Sequence, residues 1–174
     1  DAHTALENFI FERLRGYLRE AGYTANEIEA VLCLRPVRLL QVPLQLAAVR
    51  AFSNLPEAES LAAANKRVAN ILKQAAAKGE AFTETRIAAL QEPAERELFA
   101  ALKNASKQAT PLFELGDYTG YLKTFAVLKS PVDAFFDSVM VMADDAALRQ
   151  NRLALLSDLR REMNRVADIS KLAS

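Results

Sequence analysis

The run from Ser130 to Met142 is the most apolar stretch of this 174-residue chain, and it limits what the rest can fold around. Ser130 suits an N-cap and Pro131 the first helical position. Phe135, Phe136, Val139 and Met140 recur at helical spacing, and Val132, Val141 and Met142 add apolar surface off that stripe. A helix apolar on nearly all sides is buried on most of them. The spacing therefore predicts a central helix over 130–142. Asp133 and Asp137 lie one turn apart on it, and a buried carboxylate is costly unless paired or hydrogen-bonded. Arg13 and Arg152 are the arginines that fall within apolar stripes elsewhere, and one or the other is expected to pair with these aspartates. Arginine's rigid fork suits semi-buried carboxylates.

The surrounding elements read as helices. Thr4 with Glu7 and Thr24 with Glu27 are capping-box pairs. The first opens a helix with Leu6, Phe9, Ile10, Leu14, Tyr17 and Leu18 inward, ending at Gly22. The second opens a short helix through Ile28, Val31 and Leu32. Residues 35–41 read as a loop, followed by a helix from Pro43 through Phe52. A long helix over 57–78 stops at Gly79, with Asn65 on its apolar side bonding a neighbouring backbone. Residues 80–92 read as a loop with one helical turn. Pro93 starts a helix that Thr110-Pro111 interrupts, and Asp117 caps a short one through Leu128. Asp144 or Asp145 caps the last long helix, which carries Leu148, Leu155, Leu156, Leu159, Met163 and Val166. Strand signals and internal repeats are lacking. The expectation is an all-α, compact helical bundle, one domain over residues 1–174.

Composition narrows the chemistry. Lys plus Arg and Asp plus Glu both total 22, so no global field points to nucleic acid or membrane. One basic face can still be balanced elsewhere. Cys33 is the only cysteine and His3 the only histidine, which argues against disulfides, zinc fingers and histidine-assisted nucleophiles. No run is long or apolar enough for a membrane span, and no signal peptide is visible. The chain opens at Asp1 and turns helical within a few residues, so a piece of a longer cytoplasmic protein is expected. The Asp133/Asp137 pair admits an acid–base or metal role, but internal ion pairing is the stronger reading. The best basic patch is Lys66, Arg67, Asn70 and Lys73 on one helix face, with Arg35, Arg38, Lys123, Lys129 and Arg149 as cations that folding could bring to it. Phe82 and Tyr121 are aromatics that could stack on unpaired bases.

Three long stretches carry a family resemblance: Pro131 to Met142, Arg149 to Leu156, and Val166 to Ser170. Phe9 to Leu14, Ala30 to Leu32, Ala64 to Leu72 and Glu92 to Glu95 agree with it. The chain resembles the C-terminal part of the bacterial glycyl-tRNA synthetase β subunit over nearly its whole length. It is similar, over a shorter match, to the helical anticodon-binding domain of arginyl-tRNA synthetase. The resemblance implies a tRNA-binding domain of the DALR type that holds the anticodon end of glycine tRNA. Adenylation and aminoacyl transfer, with ATP and magnesium, would belong to the α subunit, so this segment itself would be non-catalytic and hold no cofactor. The implied partners are glycine tRNA and the α subunit. Glycine codons begin with two guanines, so the matching anticodon bases are cytosines. A carboxylate can accept from a cytosine amino group, while Arg, Lys or Asn donates to its acceptors. On that chemistry Arg67 and Asn70 are expected to read a base edge, and Lys66 and Arg149 to contact phosphate. The competing reading is a helical protein–protein interaction module that binds no nucleic acid.

Overall fold

The computed structural model describes residues 1–174 as an all-helical chain. Its α-helices are α1 (Ala2–Glu20), α2 (Ala25–Leu32), α3 (Val42–Ser53), α4 (Ala58–Ala77), α5 (Pro93–Glu114), α6 (Tyr118–Thr124), α7 (Lys129–Ser138) and α8 (Ala146–Met163). Short 3₁₀ turns occupy Leu39–Gln41, Ile87–Ala89, Phe125–Leu128 and Ile169–Leu172. α3 packs on α2 and α6, and α5 on α6 and α7. α4 packs on α8 and on the 169–172 turn, which also rests on α2. The buried apolar side chains of all these helices join in one cluster.

Local chemistry sets most helix ends. Thr24 and Glu27 close a capping box: the Glu27 amide donates to Thr24 Oγ1 at 3.2 Å, and the Thr24 amide to Glu27 Oε1 at 3.4 Å. Asp117 and Asp145 accept from the amides of Gly120 and Leu148, both at 2.9 Å. α4 ends with Gly79 at φ +78°, a conformation that costs glycine little and that L side chains resist. It lets the Glu80 amide reach back to the Ala75 carbonyl at 3.0 Å. Asn65 donates to the Leu61 carbonyl at 2.9 Å, as its place on the apolar side of α4 predicts.

Four expectations are overturned. The first concerns the apolar run. α7 begins at Lys129, continuing a 3₁₀ turn, so Ser130 caps nothing, and it ends at Ser138. Beyond it Val139 is extended at φ −110°, ψ +124°. Val139 and Val141 are buried, whereas Met140 and Met142 are exposed. Only Val132 and Phe135 of α7 are buried. The helix buried on nearly all sides is α8, where every residue from Asn151 to Leu159 except Ser157 is buried.

The second concerns the aspartates. Asp133 is half-buried and takes Lys129 Nζ at 2.8 Å and Ser60 Oγ at 3.2 Å; Asp137 is exposed. Neither meets Arg13 or Arg152. Arg13 is exposed, its guanidinium 5.4 Å from the centre of the Phe9 ring. Arg152 is buried and pairs instead with Glu95 of α5. Glu95, fully buried, also accepts the Gln91 and Glu92 amides at 2.6 and 3.1 Å, so its carboxylate is held by a cation and a helix N-terminus together.

Third, Thr110-Pro111 does not stop α5, which runs on to Glu114. The backbone bond that Pro111 cannot make would have gone to Lys107, an exposed residue that water can serve, and the Thr110 hydroxyl bonds the Ser106 carbonyl at 2.8 Å. Fourth, α1 starts from Asp1, whose side chain accepts from the His3 amide, so Thr4 is not its cap. α1 buries Phe11 and Leu18, leaving Leu6, Phe9, Ile10 and Tyr17 exposed. It rests chiefly on α2, with Arg15 Nε 2.6 Å from Glu29 Oε1.

Candidate nucleic-acid interface

The cations expected to bind phosphate or bases do not form one site. Lys66, Arg67 and Asn70 are exposed along α4, and the Arg67 guanidinium lies 4.2 Å over the Phe136 ring of α7. Arg149 is drawn inward. Its Nε donates to Glu80 Oε1 at 2.7 Å, and its Nη1 to the carbonyls of Ala143 at 2.8 Å and Asp144 at 3.2 Å. It clamps the start of α8 to the segment that follows α4 through its Nε and Nη1. Lys129 is paired with Asp133. Tyr121 is fully buried and donates to the Glu162 carbonyl; burial holds its phenol well above the usual tyrosine range.

Cations converge elsewhere, around Arg165 in the turn after α8. A hollow of about 390 Å³ is lined by Arg35, Arg38, Gln41, Gln45, Phe113, Tyr118 and Arg165, with apolar atoms of Leu34, Pro36 and Val37. Arg165 also lines a shallower hollow of about 520 Å³ with Leu72, Phe82, Ser157, Arg160, Arg161 and Asn164. Five arginines and three aromatic residues thus border two hollows that share Arg165, and no carboxylate residue lines either of them.

Separate elements aim these side chains. The Arg165 guanidinium sits 3.9 Å over the Phe113 ring, a cation–π stack, and 6.0 Å from Tyr121. Phe113 meets Tyr118 and Tyr121 with centroids 5.4 Å away in each case. The two partners come within reach because Gly116, at φ +76°, folds the end of α5 back into α6. Behind Arg165 the turn is pinned. The Asn164 side chain donates to Asn65 Oδ1 at 2.9 Å and accepts from the Ile169 amide at 2.7 Å, and the Asp168 amide reaches the Ala30 carbonyl at 2.7 Å. Across the hollow, Arg35 holds φ +52°, which costs about 1–2 kcal/mol outside glycine. Its guanidinium lies 4.6 Å over Phe11 and bonds Asn8 and Glu7, contacts that offset the cost. Arg38, Arg160 and Arg165 have no carboxylate within ion-pair distance, whereas Arg161 meets Asp158 at 2.9 Å. Gln45 forms part of the wall; its Nε2 donates to the Val166 carbonyl at 3.2 Å, and its buried Oε1 has no donor.

Sequence reading named Arg35 and Arg38 as cations of unknown destination and Phe82 as a stacking aromatic. It missed Arg165, Arg160, Phe113, Tyr118 and Gln45. Nothing local marks them, since Gln45 and Arg165 lie 120 positions apart in the chain. What the surface can do chemically is hold phosphates with mobile guanidinium groups and stack flat rings against arginine and aromatic faces.

Residues 61–169 match the family described as the DALR anticodon binding domain, a span that takes in Phe113, Tyr118, Arg160 and Arg165 and excludes Arg35, Arg38 and Gln45. The chain is 60% identical over 173 residues to the glycine–tRNA ligase beta subunit of Thiobacillus denitrificans, covering 99% of this chain and 24% of that protein. The corresponding subunits of Paracidovorax citrulli and Delftia acidovorans are 56% and 53% identical, over 99% and 100% of the chain and again 24% of their own length. The chain therefore spans about a quarter of the length of the curated relatives it matches. With more than half of its residues inside the family match, this all-helical chain belongs to the DALR anticodon-binding domain family.

Proposed function

We propose that this chain is the tRNA-binding domain of a glycine–tRNA ligase β subunit and holds the anticodon region of glycine tRNA on the surface centred on Arg165. One observation carries the reading. A chain with no net charge gathers Arg35, Arg38, Arg160, Arg161 and Arg165 around two hollows that share Arg165, beside Phe82, Phe113 and Tyr118, and Arg38, Arg160 and Arg165 among them have no carboxylate partner. Phosphates supply the counter-charge and unstacked loop bases the flat faces. ATP-dependent aminoacylation belongs, on this reading, to the αβ enzyme, with ATP and magnesium at the α subunit and a cytoplasmic setting. This domain orients the tRNA.

Affinity for glycine tRNA, measured as a function of salt, tests it. The logarithm of affinity should fall linearly with the logarithm of salt, and Arg165→Gln or Arg160→Gln should each reduce that slope by about 0.7–0.9. Equal affinity for tRNAs with and without the two anticodon cytosines would defeat the reading. The protein-interaction alternative has one observation in its favour, the exposed Leu6, Phe9, Ile10 and Tyr17 of α1. Those residues line neither arginine-bordered hollow, so such a contact is compatible with tRNA binding.

A further inference from the structure

We propose that the hollow between α3, the α5–α6 turn and Arg165 is a slot for one unpaired amino-bearing base, stacked on the Arg165 guanidinium and read by Gln45 Oε1. The proposal rests on the tRNA reading above and goes beyond it by assigning a base class to named atoms.

Two independent observations lead there. The first is the stack. Phe113 covers one face of the Arg165 guanidinium at 3.9 Å, and Arg165 is itself part of the lining of the hollow. Proteins that bind single-stranded RNA catch splayed bases on aromatic rings or on arginine planes, and here the arginine plane is already backed by a ring. Arg38, which has no carboxylate within ion-pair distance, stands at the same hollow, placed to hold a phosphate of the nucleotide that enters. The second is Gln45. It is 8% exposed, and its Nε2 is committed to the Val166 carbonyl at 3.2 Å. That bond fixes which end of the amide faces which way, so the group left over is an acceptor, Oε1, buried and without a donor. Buried polar groups are nearly always satisfied, and an exception in the wall of a hollow calls for a donor from outside the chain.

The chemistry selects the base. Cytosine carries an amino group where uracil carries a carbonyl oxygen. The amino group satisfies Oε1; the carbonyl would set two acceptors against each other. Oε1 is covered as the structure stands, so a base reaches it only when side chains of the wall move aside. The anticodon of glycine tRNA holds two adjacent cytosines, and the slot takes one of them.

The test uses this chain, glycine tRNA, and transcripts with each anticodon cytosine changed singly to uridine. The parent should lose roughly tenfold in affinity at one of the two positions, the scale of one unmet buried hydrogen bond. Gln45→Leu should bind the cytosine and uridine forms at that position equally, with an unchanged salt slope. Should Gln45→Leu fail to fold, Gln45→Met removes the amide at nearly the same length. Arg165→Lys keeps the charge and loses the plane, so the salt slope should persist while affinity drops roughly tenfold, the scale of one base stack. A retained cytosine preference in both Gln45 variants, or parental affinity in Arg165→Lys, overturns the slot. Unchanged affinity in Arg165→Gln and Arg160→Gln together would instead remove the tRNA reading from this surface, and the slot with it.

Discussion

α7 and α8 invert what their side chains suggest. α7 carries Val132, Phe135 and Phe136 in ten residues, yet Phe136 stays half-exposed beneath Arg67 and the run beyond it leaves Met140 72% exposed. α8 carries Arg149, Gln150, Asn151, Arg152 and Asp158 and nonetheless buries every residue from Asn151 to Leu159 except Ser157. The difference lies in partners. Each buried polar group of α8 meets a complement on another element. Arg152 meets Glu95 and, at 2.7 Å, the Met140 carbonyl. Asn151 accepts from the Arg86 amide at 2.7 Å and donates to the Arg86 carbonyl at 3.2 Å; Asp158 accepts from Thr85 at 2.8 Å. Hydrophobicity says what may be buried without cost, whereas complementary polar groups decide what else can be. The run after α7 also serves α8: Met140, beyond the end of α7, offers its carbonyl to Arg152.

That contrast can be broken at graded points. The largest effect is expected from Glu95→Ala, which strands Arg152 in the core and should lower unfolding free energy by roughly 3–5 kcal/mol in chemical denaturation. An unaffected midpoint would mean that α8 is not held by its polar partners. Next, Asn151→Leu leaves the Arg86 backbone groups without protein partners and should cost about 1–3 kcal/mol. Amide exchange should rise around residues 84–90 in that variant, while α7 amides keep their protection.

The phenol of Tyr121, bonded to the α8 carbonyl of Glu162, should add an alkaline limit. Burial raises its folded pKa, so its contribution is full below the ordinary tyrosine value of about 10 and is lost as pH climbs above it, because the unfolded chain ionises first. Tyr121→Phe should flatten the alkaline fall in melting temperature. The smallest effect belongs to Met140→Ser, which keeps the carbonyl that Arg152 uses and alters only an exposed side chain, a change of no more than about 0.5 kcal/mol. A loss of 2 kcal/mol or more there, judged on the scale of buried-residue losses, would restore the apolar run as core.

Much of the fold was legible. The all-helical class, the Thr24–Glu27 box, the caps at Asp117 and Asp145, and the stop at Gly79 depend on groups within about one turn of each other, and sequence reports such spacings directly. The stripe of α1 misled because amphipathic pattern marks a face that can be covered, not one that is: Phe11 and Leu18 took the inner position, and Phe9 and Tyr17 were left out. Of the candidate interface, only Arg35, Arg38 and Phe82 could be named. Arg149 looked like a free cation until Glu80 was seen beside it, and Arg165 had no distinguishing neighbour in the chain.

By itself the sequence determined that the chain is helical throughout, where locally capped helices such as α2 and α6 begin and where α4 stops, and, through its long motifs, which family it belongs to, because capping and helix bonding join residues a few positions apart. Only the tertiary structure decided that α8 is enclosed, that Arg152 answers Glu95 across 57 positions, and that Arg35, Arg38 and Arg165 border one hollow. Such pairings depend on which helix faces pack together, and that follows from the burial and polar satisfaction of the whole chain at once.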